Sequence, residues 1–232
     1  MKITSTNDIE LFFKVLIYGE PGVGKTQWVA ENVPKPIWMD FERSTDTLAK
    51  IGIDVPVMQA KDIKSTKEIK DFCFDIEKSE YETLVIDTVS TSQIFQLENH
   101  MRVKYGDDAK RLLPLFQDFR ISTQTFNEIF FFLQHAKVNI VLIAHERTNF
   151  IGDGDSKKII SIGPSLTPAL QESTRQLVNA VLRFQKKTTG VGPNAVTKRS
   201  MLCNSKGLYL AKNRYGIQET EVDSPTWATF MN

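Results

Sequence analysis

The sequence predicts an α/β fold: a mostly parallel central sheet flanked by helices, with antiparallel strands added near the C-terminus. Three observations predict it. Short apolar runs alternate with longer amphipathic ones through most of the chain. The apolar runs are continuous at their centres instead of strictly alternating, as expected for strands buried on both faces of a parallel sheet. After Asn179 the rhythm changes to short strands joined by turns.

The elements follow in order. Lys14–Gly19 (KVLIYG) is a strand-like run that ends in glycine, and Lys25–Asn32 suits a helix. Pro36–Phe41 (PIWMDF) is a second strand. Ser65–Ser79 reads as a helix with Ile69, Phe72 and Ile76 on one face, and Cys73 beside that face reads as a buried structural thiol. Thr83–Thr88 (TLVIDT) is a third strand and Asn139–His145 (NIVLIAH) a fourth. Between them, Ala109–Ala136 carries Phe116, Phe119, Phe126, Ile129, Phe130 and Leu133. Phe119, Thr123, Phe126, Phe130 and Leu133 recur at helical spacing, so they read as one buried face and not as a base-stacking platform. Ala180–Lys186, Arg199–Ser205 and Gly207–Lys212 look like short strands, with turns at Gly190–Asn194 and Lys206–Gly207. Strand, helix and strand in repetition indicate a doubly wound sheet.

The bounds are those of an ordinary globular chain. Its 232 residues are 41% hydrophobic and 25% charged, enough for one packed core. No composition break or linker divides it, so the expectation is a single domain over residues 1–232. Met1–Ile9 is polar and lacks the basic-then-apolar pattern of a signal peptide. No apolar run approaches the roughly 20 residues that span a bilayer. Cys73 and Cys203 are too few and too far apart for a disulfide framework or metal site. A cytoplasmic protein with no membrane partner is the simple reading. Charge is uneven: Ser173–Gln218 holds nine Lys or Arg and no Asp or Glu, which leaves 20 basic against 28 acidic residues elsewhere. A basic segment on an acidic body suggests an anionic partner, or a solvated basic surface.

The strongest signal is Gly19-Glu20-Pro21-Gly22-Val23-Gly24-Lys25-Thr26, with Gln27 following. It fits G-x-x-x-x-G-K-[ST] between a strand and a helix. Glycines let the backbone curl so that several N–H groups face phosphate oxygens. The helix N-terminus adds partial positive charge. Lys25 is placed to reach the outer phosphates of ATP, and the Thr26 hydroxyl to ligate Mg²⁺. Asp87 ends the run Leu84-Val85-Ile86-Asp87 and completes the metal shell. Many such ATPases put a glutamate directly after this aspartate. Here that position is Thr88, which argues against the AAA+ arrangement. Glu42, in Trp38-Met39-Asp40-Phe41-Glu42-Arg43, is the candidate for orienting and deprotonating the attacking water, with Asp40 second.

These residues resemble the RecA family of recombinases: the phosphate loop, Glu42, Asp87-Thr88 and Val141-Leu142-Ile143-Ala144-His145 occur in the family's order. The resemblance implies a RecA-like core. In that family the last of these positions holds a glutamine that senses the γ-phosphate and signals into a mobile DNA-binding loop. Here it is His145, a departure, although histidine can donate a hydrogen bond to phosphate. The resemblance makes Asn149–Lys158 the second DNA loop, with Arg147, Lys157 and Lys158 on phosphates. Arg102–Arg111 reads either as a first DNA-facing loop, with Arg102 and a stacking Tyr105, or as a helix–helix turn. Ala211-Lys212-Asn213-Arg214 matches a Lys-Asn-Lys whose cations reach the ATP of the next subunit, so Lys212 and Arg214 would act in trans. The compact form looks like the small RecA-like single-strand annealing ATPases of bacteriophages. Those bind ATP and single-stranded DNA and help pair complementary strands. The implied partners are single-stranded DNA, further copies of the chain and a single-strand binding protein, in a bacterial host cytoplasm. Competing readings are a helicase or helicase-loader motor, a nucleotide-controlled interaction protein without nucleic acid, and a small-molecule kinase, for which no arginine lid is evident.

Overall fold

The computed structural model describes residues 5, 10–63, 65–110, 112–189 and 196–231. The expected turn at Gly190–Asn194, Arg111, and all of Met1–Ile9 except Ser5 lie outside the described residues.

The chain opens with β1 (Lys14–Gly19), α1 (Lys25–Asn32), β2 (Pro36–Asp40), α2 (Asp46–Lys50) and β3 (Val57–Gln59). It continues through α3 (Thr66–Asp75), β4 (Thr83–Asp87), α4 (Val89–Tyr105), α5 (Phe116–His135) and β5 (Asn139–Ile151). The last part is β6 (Lys158–Pro164), α6 (Pro168–Leu177), β7 (Ala180–Thr189), β8 (Val196–Leu202), β9 (Lys212–Asn213), β10 (Glu221–Asp223) and α7 (Ala228–Met231). The sheet order is β10-β8-β7-β1-β5-β4-β2-β3, with β6 on β5 and β9 on β7. The strands from β7 through β3 are parallel, while β6, β8, β9 and β10 pair antiparallel. The α/β fold is therefore the expected one, a mostly parallel sheet with antiparallel strands near the C-terminus.

The continuous apolar runs are explained by two cores. Leu16, Tyr18, Leu84, Ile86, Ile140 and Leu142 pack against α3, α4, α5 and α6 on one face. Val15, Ile17, Trp38, Val85, Val141 and Ile143 pack with Trp28 and Val29 of α1, Leu48 of α2 and Phe230 of α7 on the other. Successive residues of one strand thus enter opposite cores, so neither face can be polar. Cys73 and Cys203 are both buried, and burial pushes their thiols up, to about 12 and about 11. They are inert structural thiols, as expected.

Several expectations change. The stretch 109–136 is not one element: α5 begins only at Phe116, after a short 3-10 turn at Gly106–Lys110. Phe126, Ile129, Phe130 and Leu133 are core, but Phe116 is 83% and Phe119 46% exposed. The buried face begins only where α5 comes to lie on the sheet. The expected loop 149–158 is instead a hairpin: β5 runs on to Ile151 and β6 returns from Lys158. Between Ala180 and Lys212, β7 and β8 form one long hairpin, and of the last expected strand, Gly207–Lys212, only Lys212 pairs in the sheet, within β9. α2, α4, α6, β3 and β6 are additions. α4 escaped notice because its buried face includes Ser90, Ser92, Gln96 and Asn99, which give no apolar period.

Candidate nucleotide site

β1 lies between β5 and β7, and its C-terminal end delivers the phosphate loop. Gly19 must lack a side chain because a Cβ there would lie 2.2 Å from the Phe184 carbonyl oxygen. Gly24 caps α1 at φ 96°, in the left-handed region that favours glycine. Glu20, Pro21 and Gly22 form the exposed crest of the loop, while Val23 and Lys25 are buried. The Lys25 ammonium donates to the carbonyls of Gly19 (2.8 Å) and Glu20 (2.9 Å). Burial lowers its pKa, while the charges of Asp87, Glu42 and Glu146 pull it back up.

Thr26 and Asp87 are brought together as expected. The Thr26 hydroxyl donates to Asp87 Oδ2 at 2.8 Å, and the Ser44 hydroxyl donates to the same oxygen at 2.7 Å. Asp87 is 1% exposed, and burial pushes its carboxyl up to about 6, against the hydrogen bonds from Ser44 and Thr26 that lower it. A buried carboxylate beside a hydroxyl is an oxygen pair suited to Mg²⁺, whose charge would offset the cost of burial. Among the described residues no group of three or more His, Cys, Asp or Glu could hold a metal. The donors present therefore fit Mg²⁺ held by Thr26 and Asp87 together with nucleotide phosphates, the usual manner of such sites. The Asp87–Thr88 peptide bond is cis.

Glu42 stands two residues beyond β2, beside this pair. Its Oε1 accepts from the Thr88 hydroxyl (2.7 Å), from the Thr91 hydroxyl, and from His145 Nε2 (2.7 Å). Burial would raise the carboxyl, but these donors outweigh it and hold the pKa down at about 2. An ionised Glu42 only accepts hydrogen bonds, so His145 carries its proton on Nε2. His145 Nδ1 is buried and has no hydrogen-bond partner among the described residues. The His145 backbone N–H donates to Ser90 Oγ at 3.1 Å, which fixes the ring's base against α4. Asp40 is spoken for: it is fully buried and accepts from Glu42 N, Ser44 N and Oγ, and Thr45 N and Oγ1. It folds the 40–45 turn, leaving Glu42, whose donors are all side chains, as the carboxylate available to a water.

The outlying candidates fall into three places. Arg147, Lys157 and Lys158 are exposed on the β5–β6 hairpin, where Lys157 lies 4.3 Å over the Phe150 ring. Arg102 and Tyr105 close α4 in a helix–helix connection. There the Lys104 ammonium, His100 and the Leu115 N–H converge on the buried Asp118, with the Tyr105 hydroxyl 3.5 Å away. Arg102 bonds Asn99 at 2.8 Å. Lys212 and Arg214 sit at the opposite end of the central strands from the phosphate loop. Lys212 pairs with Val181 and donates to the Arg175 and Val178 carbonyls, and the Arg214 N–H donates to Asn179 beside Lys14.

Sequence reading missed five participants. Ser44 and Thr91 are hydroxyls in polar stretches and carry no distinguishing pattern. Arg183 and Glu146 form an ion pair at 2.7 Å with side chains only 9% and 12% exposed. They meet across the end of β1, one from each flanking strand. Arg199 donates to Gln27 Oε1 at 2.9 Å, and its guanidinium covers Gly24. The lack of acids around Arg199 was legible, but its contact with the phosphate loop was not.

Residues 12–215 match a protein-family model described as an AAA domain. No curated protein matches the sequence. Among solved structures, the KaiC-like protein PH0186 from the hyperthermophilic archaeon Pyrococcus horikoshii OT3 is similar at 14% identity. The match covers 82% of this chain and 77% of that one, with a TM-score of 0.42.

Proposed function

This chain belongs to the AAA domain family, and from that premise we propose that it is an ATP-dependent single-stranded DNA binding protein that promotes annealing or homologous recombination. Its candidate carboxylate, Glu42, stands beyond β2 and not directly after Asp87. The observation that carries the reading is the path from Glu42 into the β5–β6 hairpin. Glu42 is bonded to His145, and β5 continues from His145 into a projection bearing Arg147, Phe150, Lys157 and Lys158. Cations there suit phosphates, and an exposed aromatic ring suits a base. Phe150, Ile151, Ile159 and Ile160 are all exposed, which is unusual for so short a hairpin unless something covers it.

In this reading Lys25 turns from its own loop carbonyls to the outer phosphates. Thr26 and Asp87 hold Mg²⁺, which supplies charge neutralisation at the phosphates. Glu42 orients the attacking water; with a pKa of about 2 it acts by position more than by basicity. His145 exchanges its bond to Glu42 for one to the γ-phosphate, and the hairpin feels the exchange. Lys212 and Arg214 serve the ATP of a neighbouring copy. What supports this is their place at the strand ends remote from their own phosphate loop, with Arg214 exposed there.

Fluorescence anisotropy of a labelled single-stranded oligonucleotide, with and without ATP–Mg²⁺ over a salt series, tests the proposal. Salt-sensitive binding that ATP strengthens is the expected result. No binding at low salt in either state would remove DNA from the account.

A further inference from the structure

On the other side of β1, β7 also outruns the sheet. Arg183 is its last residue paired with β1, and β10 pairs only with Ser200–Leu202 of β8. Beyond that level β7 and β8 form a two-stranded ribbon with no further strand on either edge among the described residues. Its register sets Lys186 directly opposite Arg199, and Lys187 directly opposite Lys198. Directly opposed like charges destabilise a strand pair, and an isolated two-stranded ribbon is marginal to begin with. Lys186, Lys187 and Lys198 are exposed and have no ion-pair partner among the described residues. On β10, Asp223 pairs with Ser200 at the ribbon's base, and Glu221 is engaged lower down, accepting from Ser200 Oγ (2.6 Å) and Gln185 Nε2 (2.5 Å). Successive side chains alternate between the two faces of the ribbon, so Lys187 and Lys198 share one face and Lys186 and Arg199 the other. A polyanion lying along the Lys187/Lys198 face would relieve the repulsion there and release counterions.

The fourth cation of the two opposed pairs reaches the nucleotide site. Arg199 is bonded to Gln27 on the first turn of α1, and a Cβ on Gly24 would lie 2.8 Å from its Nη2. The foot of the ribbon therefore rests on the glycine that precedes Lys25.

We propose that the β7–β8 ribbon is a seat for the phosphodiester backbone of single-stranded DNA, and that Arg199 couples occupancy of this seat to nucleotide binding at the phosphate loop. The proposal rests on the single-stranded DNA reading above and adds a second surface to the β5–β6 hairpin. Arg199 is a positioning residue: it acts through Gln27 and Gly24. Coupling of this kind is reciprocal, so a strand on the ribbon tightens ATP binding as ATP tightens the strand.

The test compares wild type with Lys187→Ala/Lys198→Ala and with Lys50→Ala/Lys61→Ala, a pair that removes the same charge from exposed sites elsewhere. The probe is a fluorescein-labelled oligothymidylate over a salt series. Each phosphate contact contributes about 0.7 to the slope of log affinity on log salt for single strands, so the ribbon variant should lose about 1.4. The Lys50/Lys61 control should keep the wild-type slope. Binding of a fluorescent ATP analogue without DNA should be unchanged in both, which shows that they fold. An unchanged slope in the ribbon variant, with wild type binding DNA, overturns the seat and leaves the DNA reading standing. Wild type that binds no DNA overturns both. Arg199→Ala should still bind the oligonucleotide without nucleotide but lose the gain on adding ATP–Mg²⁺. Retention of that gain overturns the coupling.

Discussion

Glu42 shows how a side chain's role depends on neighbours that the sequence does not announce. Its place after the second strand was legible from spacing alone. Its three donors come from 46, 49 and 103 residues away, so no local pattern could show them. Asp40 shows the reverse: read as second choice for the same chemistry, it is consumed by a turn that only the fold reveals. The assignment leads to a direct expectation. Glu42→Gln keeps the shape but replaces one acceptor oxygen with an amide donor and removes the charge, so a water held by that oxygen loses its place. It should lower ATP hydrolysis about 10²–10⁴-fold while ATP affinity stays within a few-fold. Steady-state ATPase rates set beside nucleotide binding would show it. A variant that hydrolyses at the wild-type rate moves the role off Glu42.

At the scale of elements, the parallel strands were legible because burial on both faces writes itself as an unbroken apolar run. Starts and ends of β1 and α1 matched, since glycine and the phosphate-loop motif mark both. The first half of α5 misled, because spacing identifies a face but not whether anything lies against it. Lys14 illustrates a further element-level effect. It opens β1, yet its ammonium is buried and donates to the Leu133 (2.5 Å) and Ala136 (2.8 Å) carbonyls at the C-terminal end of α5. A cation there complements the helix dipole and satisfies orphan carbonyls. Burial nevertheless lowers its pKa from 10.5 to about 8, partly offset by Glu77. Between those two values the unfolded chain binds more protons than the folded one, so folding stability rises with pH in that window. Wild type should therefore gain stability relative to Lys14→Met as pH rises from about 8 to 10.5, read by urea unfolding of both proteins at each pH. A difference that stays flat over the window would refute the buried ammonium.

At the scale of the whole molecule the sheet has two working ends. The strand ends near Gly19 carry the phosphate loop, Glu42 and both projecting hairpins. The opposite end carries Lys212 and Arg214, of which Arg214 is exposed. One copy cannot bring its two ends together, so any shared chemistry needs a second copy. Lys25→Ala and Arg214→Ala proteins should each be poor ATPases alone and regain activity when mixed, because a mixed interface can pair an intact loop with an intact arginine. No recovery at any mixing ratio would count against trans action. None of this division was visible in the chain's order. The basic segment reads as one patch in sequence, but the fold scatters it over both ends.

The Arg183–Glu146 pair has one more implication. It ties the root of one hairpin to the root of the other above the tip of β1, like a lintel across a doorway. Neither hairpin can swing outward by itself without stranding a buried charge, which costs about 3–5 kcal/mol. The two are therefore geared together. A tug on a strand held by either one is delivered to the same crossbar, beside the end of β1 that leads into the phosphate loop.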